Sequence, residues 1–174
     1  AEHLDRADDP RAAAACLRAA RAEAAALRFD AALRLARRGG ELPAAPEVLH
    51  DLARFEGDLA RNSGDVDGSL AAFERALAHA RDDAQRCAAH LGVAAAYRAT
   101  GATAEGLAVL DVVEPLAAAA GLAREASRAA YLRGCFEFAR GDARASEAAQ
   151  QRALDRAGAA ADAECEAQAF SGLA

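Results

Sequence analysis

The chain has 174 residues, 53% hydrophobic and 28% charged, with a formal net charge of −6. That is a globular composition with length enough for a core, and its mixed, net acidic charge excludes the basic stripe of a nucleic-acid binder. There is no Met, Trp, Ile or Lys, and all 21 basic residues are Arg, a bias that a GC-rich coding sequence explains without phosphate binding. Alanine supplies much of the apolar share; it is a strong helix former that adds little burial per residue, so closely packed helices are expected.

In chain order, Asp8-Asp9-Pro10 reads as a helix cap with Pro in the first turn, and helices are expected over 11–26 and 29–38, with a turn at 27–30 that lacks glycine. Pro43-Ala44-Ala45-Pro46 breaks helices and marks a boundary. A helix over 47–62 then turns at Gly64 into one over 66–80, whose Leu70, Phe73, Ala76 and Leu77 form a core stripe. Helices over 84–100 and 104–120 follow, joined at Gly101, with Leu91, Ala94, Tyr97, Leu107, Leu110 and Val113 inward. Pro115 should kink the second of these or end it near Glu114. A fourth pair spans 125–140 and 143–157 about Gly141, with Ala149, Ala153 and Leu154 inward, and a last helix starts near Asp162.

Gly64, Gly101 and Gly141 each end the first helix of a pair, at intervals of 37 and 40 residues. The chain therefore reads as a helical repeat, with units of about 10–40, 46–81, 83–120 and 124–158 and a partial one over 161–174. A chain without Met reads as an internal piece of a longer protein, or as one whose start has been removed. The apolar stretch 107–123 is interrupted by Asp111, Glu114 and Pro115, so neither a membrane span nor a signal segment is expected. Cys16, Cys87, Cys135 and Cys165 occur singly, which fits buried small hydrophobes in the cytoplasm.

Little in the chain points to catalysis. A protein without Lys has no P-loop lysine, Schiff-base amine or Ser-Lys pair, and the common nucleotide, zinc-protease and hydrolase motifs are missing, so no enzyme activity and no cofactor are expected. Cys87 and His90, one helical turn apart, lack a third metal ligand. Ser63, Asp65, Asp67, Gly68 and Glu74 have calcium-loop spacing, but Ser stands where Asp is expected and a helix from Val66 onward would separate the acids. They read as a capped helix start, and no metal site is assigned.

Gly57, Ala94 and Gly134 in the first helices, Tyr97, and Phe73, Ala76, Ala153 and Ser69 or Ser146 in the second helices resemble the pattern of the tetratricopeptide repeat. The long intervals are similar to those of repeats beside ATPase and cyclase modules in large bacterial signalling proteins and transcription activators. The resemblance implies an all-α solenoid of antiparallel helix pairs wound into a right-handed superhelix, whose first helices line a concave groove. Along that groove would lie Arg54, Asp58, Arg61 and Asn62, then Leu91, Ala95 and Arg98, then Tyr131, Cys135 and Phe138. Such a surface, grading from Arg to aromatic, suits a peptide or protein segment with an acidic and an apolar end. The alternative is a solvated Arg54, Asp58 and Arg61 face with Tyr131 and Phe138 in the core.

The expected role is an interaction or sensor scaffold in a larger cytoplasmic bacterial regulator, or else a receptor for a small ligand or signalling peptide. Neither nucleic acid nor membrane is an expected partner. End-to-end self-association through the last helix is expected as well.

Overall fold

The computed structural model describes residues 11–173; the Asp8-Asp9-Pro10 cap lies outside them. Among the described residues the chain forms nine α-helices and no strand. The contacts divide it into two compact units that part between Arg81 and Asp82, at the boundary between the second and third expected pairs.

The first unit holds α1 (Arg11–Ala25), α2 (Phe29–Gly40), α3 (Pro46–Asn62) and α4 (Val66–His79). Each helix packs on the next, and α1 also touches α3. Ala13, Leu17 and Leu52 form one buried cluster, with Val48 and Phe55 against it. Small residues let the helices approach closely: a Cβ on Gly57 would come within 2.8 Å of the Phe73 ring. Glu56 is buried and bound by two guanidinium groups, Arg37 at 3.0 Å and Arg75 at 2.5 Å, which bring α2 and α4 onto α3.

The second unit holds α5 (Asp83–Thr100), α6 (Thr103–Ala119), α7 (Ala123–Ala139), α8 (Ala143–Ala160) and α9 (Ala163–Leu173). Consecutive helices pack here too, and α7 contacts both α5 and α9. Its main core joins Cys87, Leu91, Leu110, Val113, Leu132 and Phe136.

Two hairpins, α3–α4 and α7–α8, are built on the same bonds. Ser69 Oγ donates to the Gly57 carbonyl at 2.9 Å, and Ser146 Oγ donates to the Gly134 carbonyl at 2.9 Å, each across 12 residues. His50 Nδ1 lies 3.0 Å from the Ala76 carbonyl and Ser127 Oγ donates to the Ala153 carbonyl at 2.8 Å, each across 26 residues. Six of these positions, Gly57, Ser69, Ala76, Gly134, Ser146 and Ala153, are ones that carry the repeat resemblance, and each is buried.

Of the two outcomes expected at Pro115, a kink or an end near Glu114, the end does not occur: α6 continues through it to Ala119. Pro115 and Asp111 both face solvent, so water can reach the carbonyl that a proline leaves without its helical bond. On the opposite side Leu110, Val113 and Ala117 are buried. Arg133 of α7 straddles the site, donating to Asp111 at 2.7 Å and to Glu114 at 2.8 Å.

Leu91, expected along the groove, is fully buried core. Its neighbours on α5 explain this: it joins the cluster of Cys87, Ala94 and Leu110, so the exposed face of α5 lies elsewhere. Other helix ends differ from the expected ones by up to three residues, the last turn being the least specified part of a helix.

Candidate functional site

The calcium-like acids are a helix start. Asp65 caps α4, its Oδ1 accepting the Gly68 N–H at 2.9 Å, and Ser63 Oγ donates to the Ala60 carbonyl instead of facing the acids. Among the described residues no three His, Cys, Asp or Glu side chains are placed to share a metal ion. Cys87 is buried, and burial lowers the His90 pKa below its usual range.

Of the charged residues expected at the groove of the first unit, Asp58 and Arg61 pair with each other at 3.3 Å, one turn apart on α3. Arg54 is half-buried and Asn62 is exposed at the end of the same helix. The Arg61 Nε is buried without a hydrogen-bond partner. Of these four residues only Asn62 is exposed, and one ion pair, Asp58 with Arg61, joins two of them.

In the second unit three of the expected residues converge. Arg98, Tyr131 and Phe138 line one pocket of about 480 Å³. Arg98 comes from the last turn of α5, and Tyr131 and Phe138 stand on one face of α7 with Cys135 between them. Phe138 is 73% exposed, which removes it from the core and makes it an apolar group held in water. Tyr131 is half-buried, packing its ring on the small cluster of Ala130, Ala153 and Ala169 while still reaching the pocket.

The electrostatics of the pocket are mixed. Burial raises the Tyr131 phenol pKa, and Cys135 beside it adds to the rise; Arg98 and a hydrogen bond with Ser171 pull it back. The Arg98 side chain makes no ion pair or hydrogen bond among the described residues, so its guanidinium is available. No carboxylate is among the described residues lining the pocket. The site can therefore take an anionic group at Arg98 and an apolar group at Phe138.

The chain matches no protein-family model and no curated protein sequence.

Sequence reasoning missed the floor of this pocket. Gln150 of α8 is 1% exposed, its Nε2 donating at 3.3 Å to the carbonyl of Tyr131 and its Oε1 without a partner among the described residues. Gly172 and Ser171 close the side formed by α9. The inward stripe of α8 includes Ser146, Ala149, Gln150, Ala153 and Ala157, so a polar residue sits on a buried face. Aligning the hairpins on Gly57 with Gly134 and on Ser69 with Ser146 would have exposed it: one turn after Ser69 stands Phe73, and one turn after Ser146 stands Gln150. Another cleft, of about 500 Å³, lies beside Arg140 against Leu107 and Asp111 of α6, without a buried polar group at its base.

Proposed function

We propose that the second unit is a docking module for a peptide segment of a partner protein, carrying an acidic side chain beside an apolar one. The observation that carries this reading is Phe138, 73% exposed at the mouth of a pocket that also presents the unpaired Arg98. Large exposed apolar side chains next to a pocket are costly to leave in water and are a common mark of interaction sites. Arg98 supplies the charge that selects an acidic segment, and Tyr131 supplies a half-buried ring with a polar tip, a combination favoured at interfaces.

The buried serine, glycine and alanine contacts inside the α3–α4 and α7–α8 hairpins support reading the chain as tetratricopeptide-like repeats, whose concave face the pocket would occupy. The wider role we infer is that of an interaction or sensor scaffold within a larger cytoplasmic bacterial regulator. Among the described residues no helix is long and apolar enough to cross a membrane, in keeping with a partner that is a protein segment. A second reading, a receptor for a small ligand or signalling peptide, is favoured by one observation: the fully buried Gln150 at the pocket floor gives it a recognition group deeper than a surface patch needs.

The docking reading is tested by titrating the protein with the peptide acetyl-Leu-Phe-Asp-amide and following the backbone resonances of Tyr131, Cys135 and Phe138 by NMR. Saturable shifts at these positions are expected. The Tyr131→Ala, Phe138→Ala double variant should weaken binding by about tenfold or more. Arg98→Glu should weaken this peptide but not its Asn-containing counterpart. Absence of saturable shifts, or a double variant that binds as well as the parent, overturns the proposal.

A further inference from the structure

We propose that Gln150 is the residue that recognises the docked segment: its Oε1 receives a backbone N–H of the peptide, which reaches it by displacing the last turn of α9. This rests on reading the pocket as a peptide-docking site.

The side chain is out of place by the standard of its own repeat. The corresponding position is Phe73 in the α3–α4 hairpin and Leu110 in α5–α6, both fully buried. At Gln150 an amide lies in the interior with its Oε1 sealed from solvent and without a hydrogen-bond partner among the described residues. Leaving such an acceptor unmatched costs stability, and native structures seldom carry one without a use for it.

The surroundings are shaped to keep that amide where it is. A Cβ on Gly134 would overlap the Gln150 amide, and a Cβ on Gly172 would come within 2.5 Å of Oε1. Glycines on α7 and α9 thus clear a slot that no other residue type would leave open. The bond that Nε2 makes to Tyr131 is long, at 3.3 Å, and goes to a carbonyl in the interior of α7 that also serves the helix ladder. The amide is therefore oriented by this contact without being consumed by it.

The missing partner can be specified chemically. Oε1 is a neutral acceptor and no carboxylate is among the described residues lining the pocket, which suits an uncharged N–H better than an ammonium group. A peptide backbone carries such N–H groups along with the side chains that suit Arg98 and Phe138. One segment can then engage charge, apolar surface and buried acceptor together.

Gly172 covers Oε1, so the contact requires movement. Among the described side chains of α9 the buried ones are Cys165 and Ala169, whereas Phe170, Ser171 and Gly172 beyond them are all exposed. Opening this end releases Gly172 from the Gln150 amide and leaves the Cys165 and Ala169 anchors in place. Binding would exchange the Gly172 lid for the ligand N–H and carry the signal of occupancy to the end of α9.

The test uses the whole chain, labelled with 15N, and two probes: acetyl-Leu-Phe-Asp-amide and its fully N-methylated counterpart, which keeps the side chains and loses the backbone N–H groups. We expect the Gln150 side-chain amide to shift together with the Ser171 and Gly172 backbone resonances on saturation with the first probe. The N-methylated probe should bind about tenfold more weakly or worse, the loss of one buried hydrogen bond. Gln150→Leu should bind both probes with the same low affinity while melting no lower than the parent protein.

The inference is overturned, with the docking reading intact, if the N-methylated probe binds the parent protein as tightly as the first. It is equally overturned if Gln150→Leu keeps full affinity, or if the Ser171 and Gly172 resonances stay in place on saturation. No binding of the first probe to the parent protein would overturn both readings. The comparison of probes on the parent protein decides the matter even if the variant does not fold.

Discussion

Cys87 is fully buried in the core of the second unit, and burial, with Glu125 and Asp83 nearby, pushes its thiol up to about 11 from the ordinary 9.0. The folded chain therefore holds it neutral in a range where the unfolded chain ionises it. Below pH 9 both states are protonated and the group contributes no pH dependence; from 9 upward the unfolded state loses its proton first, so stability falls until about 11. Two pKa units correspond to roughly 3 kcal/mol at most. The expected outcome is a urea midpoint that drops between pH 8.5 and about 10.5, with a shallower drop in Cys87→Ala. Tyr131 shifts in the same direction, so the difference between the two proteins is the quantity to read; identical slopes would refute the assignment. That isolated cysteines are small core residues was legible in the sequence for Cys16, Cys87 and Cys165, while Cys135 is half-buried at the pocket. Gln150 was not legible in the same way, because helical periodicity marks which positions face inward only when the residues there are apolar.

The helices themselves follow from pattern, and so do their turns. Gly64, Gly101 and Gly141 end α3, α5 and α7 with positive φ, as their spacing predicts. The turn without glycine uses Leu27, with φ of 59°, and closes in the same manner: the Arg28 N–H reaches the Glu23 carbonyl at 2.9 Å and the Leu27 N–H that of Ala24 at 2.9 Å. Leu27 is 75% exposed and gains little from its side chain there. The left-handed region costs a branched L-residue about 1–2 kcal/mol, against about 0.5–1 kcal/mol for the greater freedom of glycine in the unfolded chain. Leu27→Gly should therefore stabilise the first unit by about 0.5 kcal/mol in urea denaturation, and a loss of stability would show that the side chain has a role the turn geometry does not explain. The helix end offered as one outcome at Pro115 fails for a related reason. Local propensity reports the lost hydrogen bond, but not that the freed carbonyl faces water while the other face of α6 is packed. The Arg133 bridge to Asp111 and Glu114 comes from another helix and has no local trace in the sequence.

For the whole chain, the alanine-rich composition has a consequence beyond helix formation. Cores closed by Ala and Gly bury few large side chains, and several of the large ones present remain outside: Leu27, Phe29, Val112, Phe138 and Phe170 are all exposed. Phe138 and Phe170 both lie in the second unit, on α7 and α9, and neither is accounted for by packing within it. Phe170 is 59% exposed and follows directly on the fully buried Ala169. Self-association through this helix is the expectation that the exposure supports. Static light scattering should show an apparent mass rising with protein concentration. Since the contact is apolar and the chain carries a net charge of −6, added salt should strengthen the association by screening repulsion between copies. Phe170→Glu should return the protein to monomer at every salt concentration while leaving its helical content unchanged. A monomeric parent protein at high concentration and high salt would overturn the expectation. Weaker association at high salt would show instead that charge, not the phenylalanine, holds the copies together.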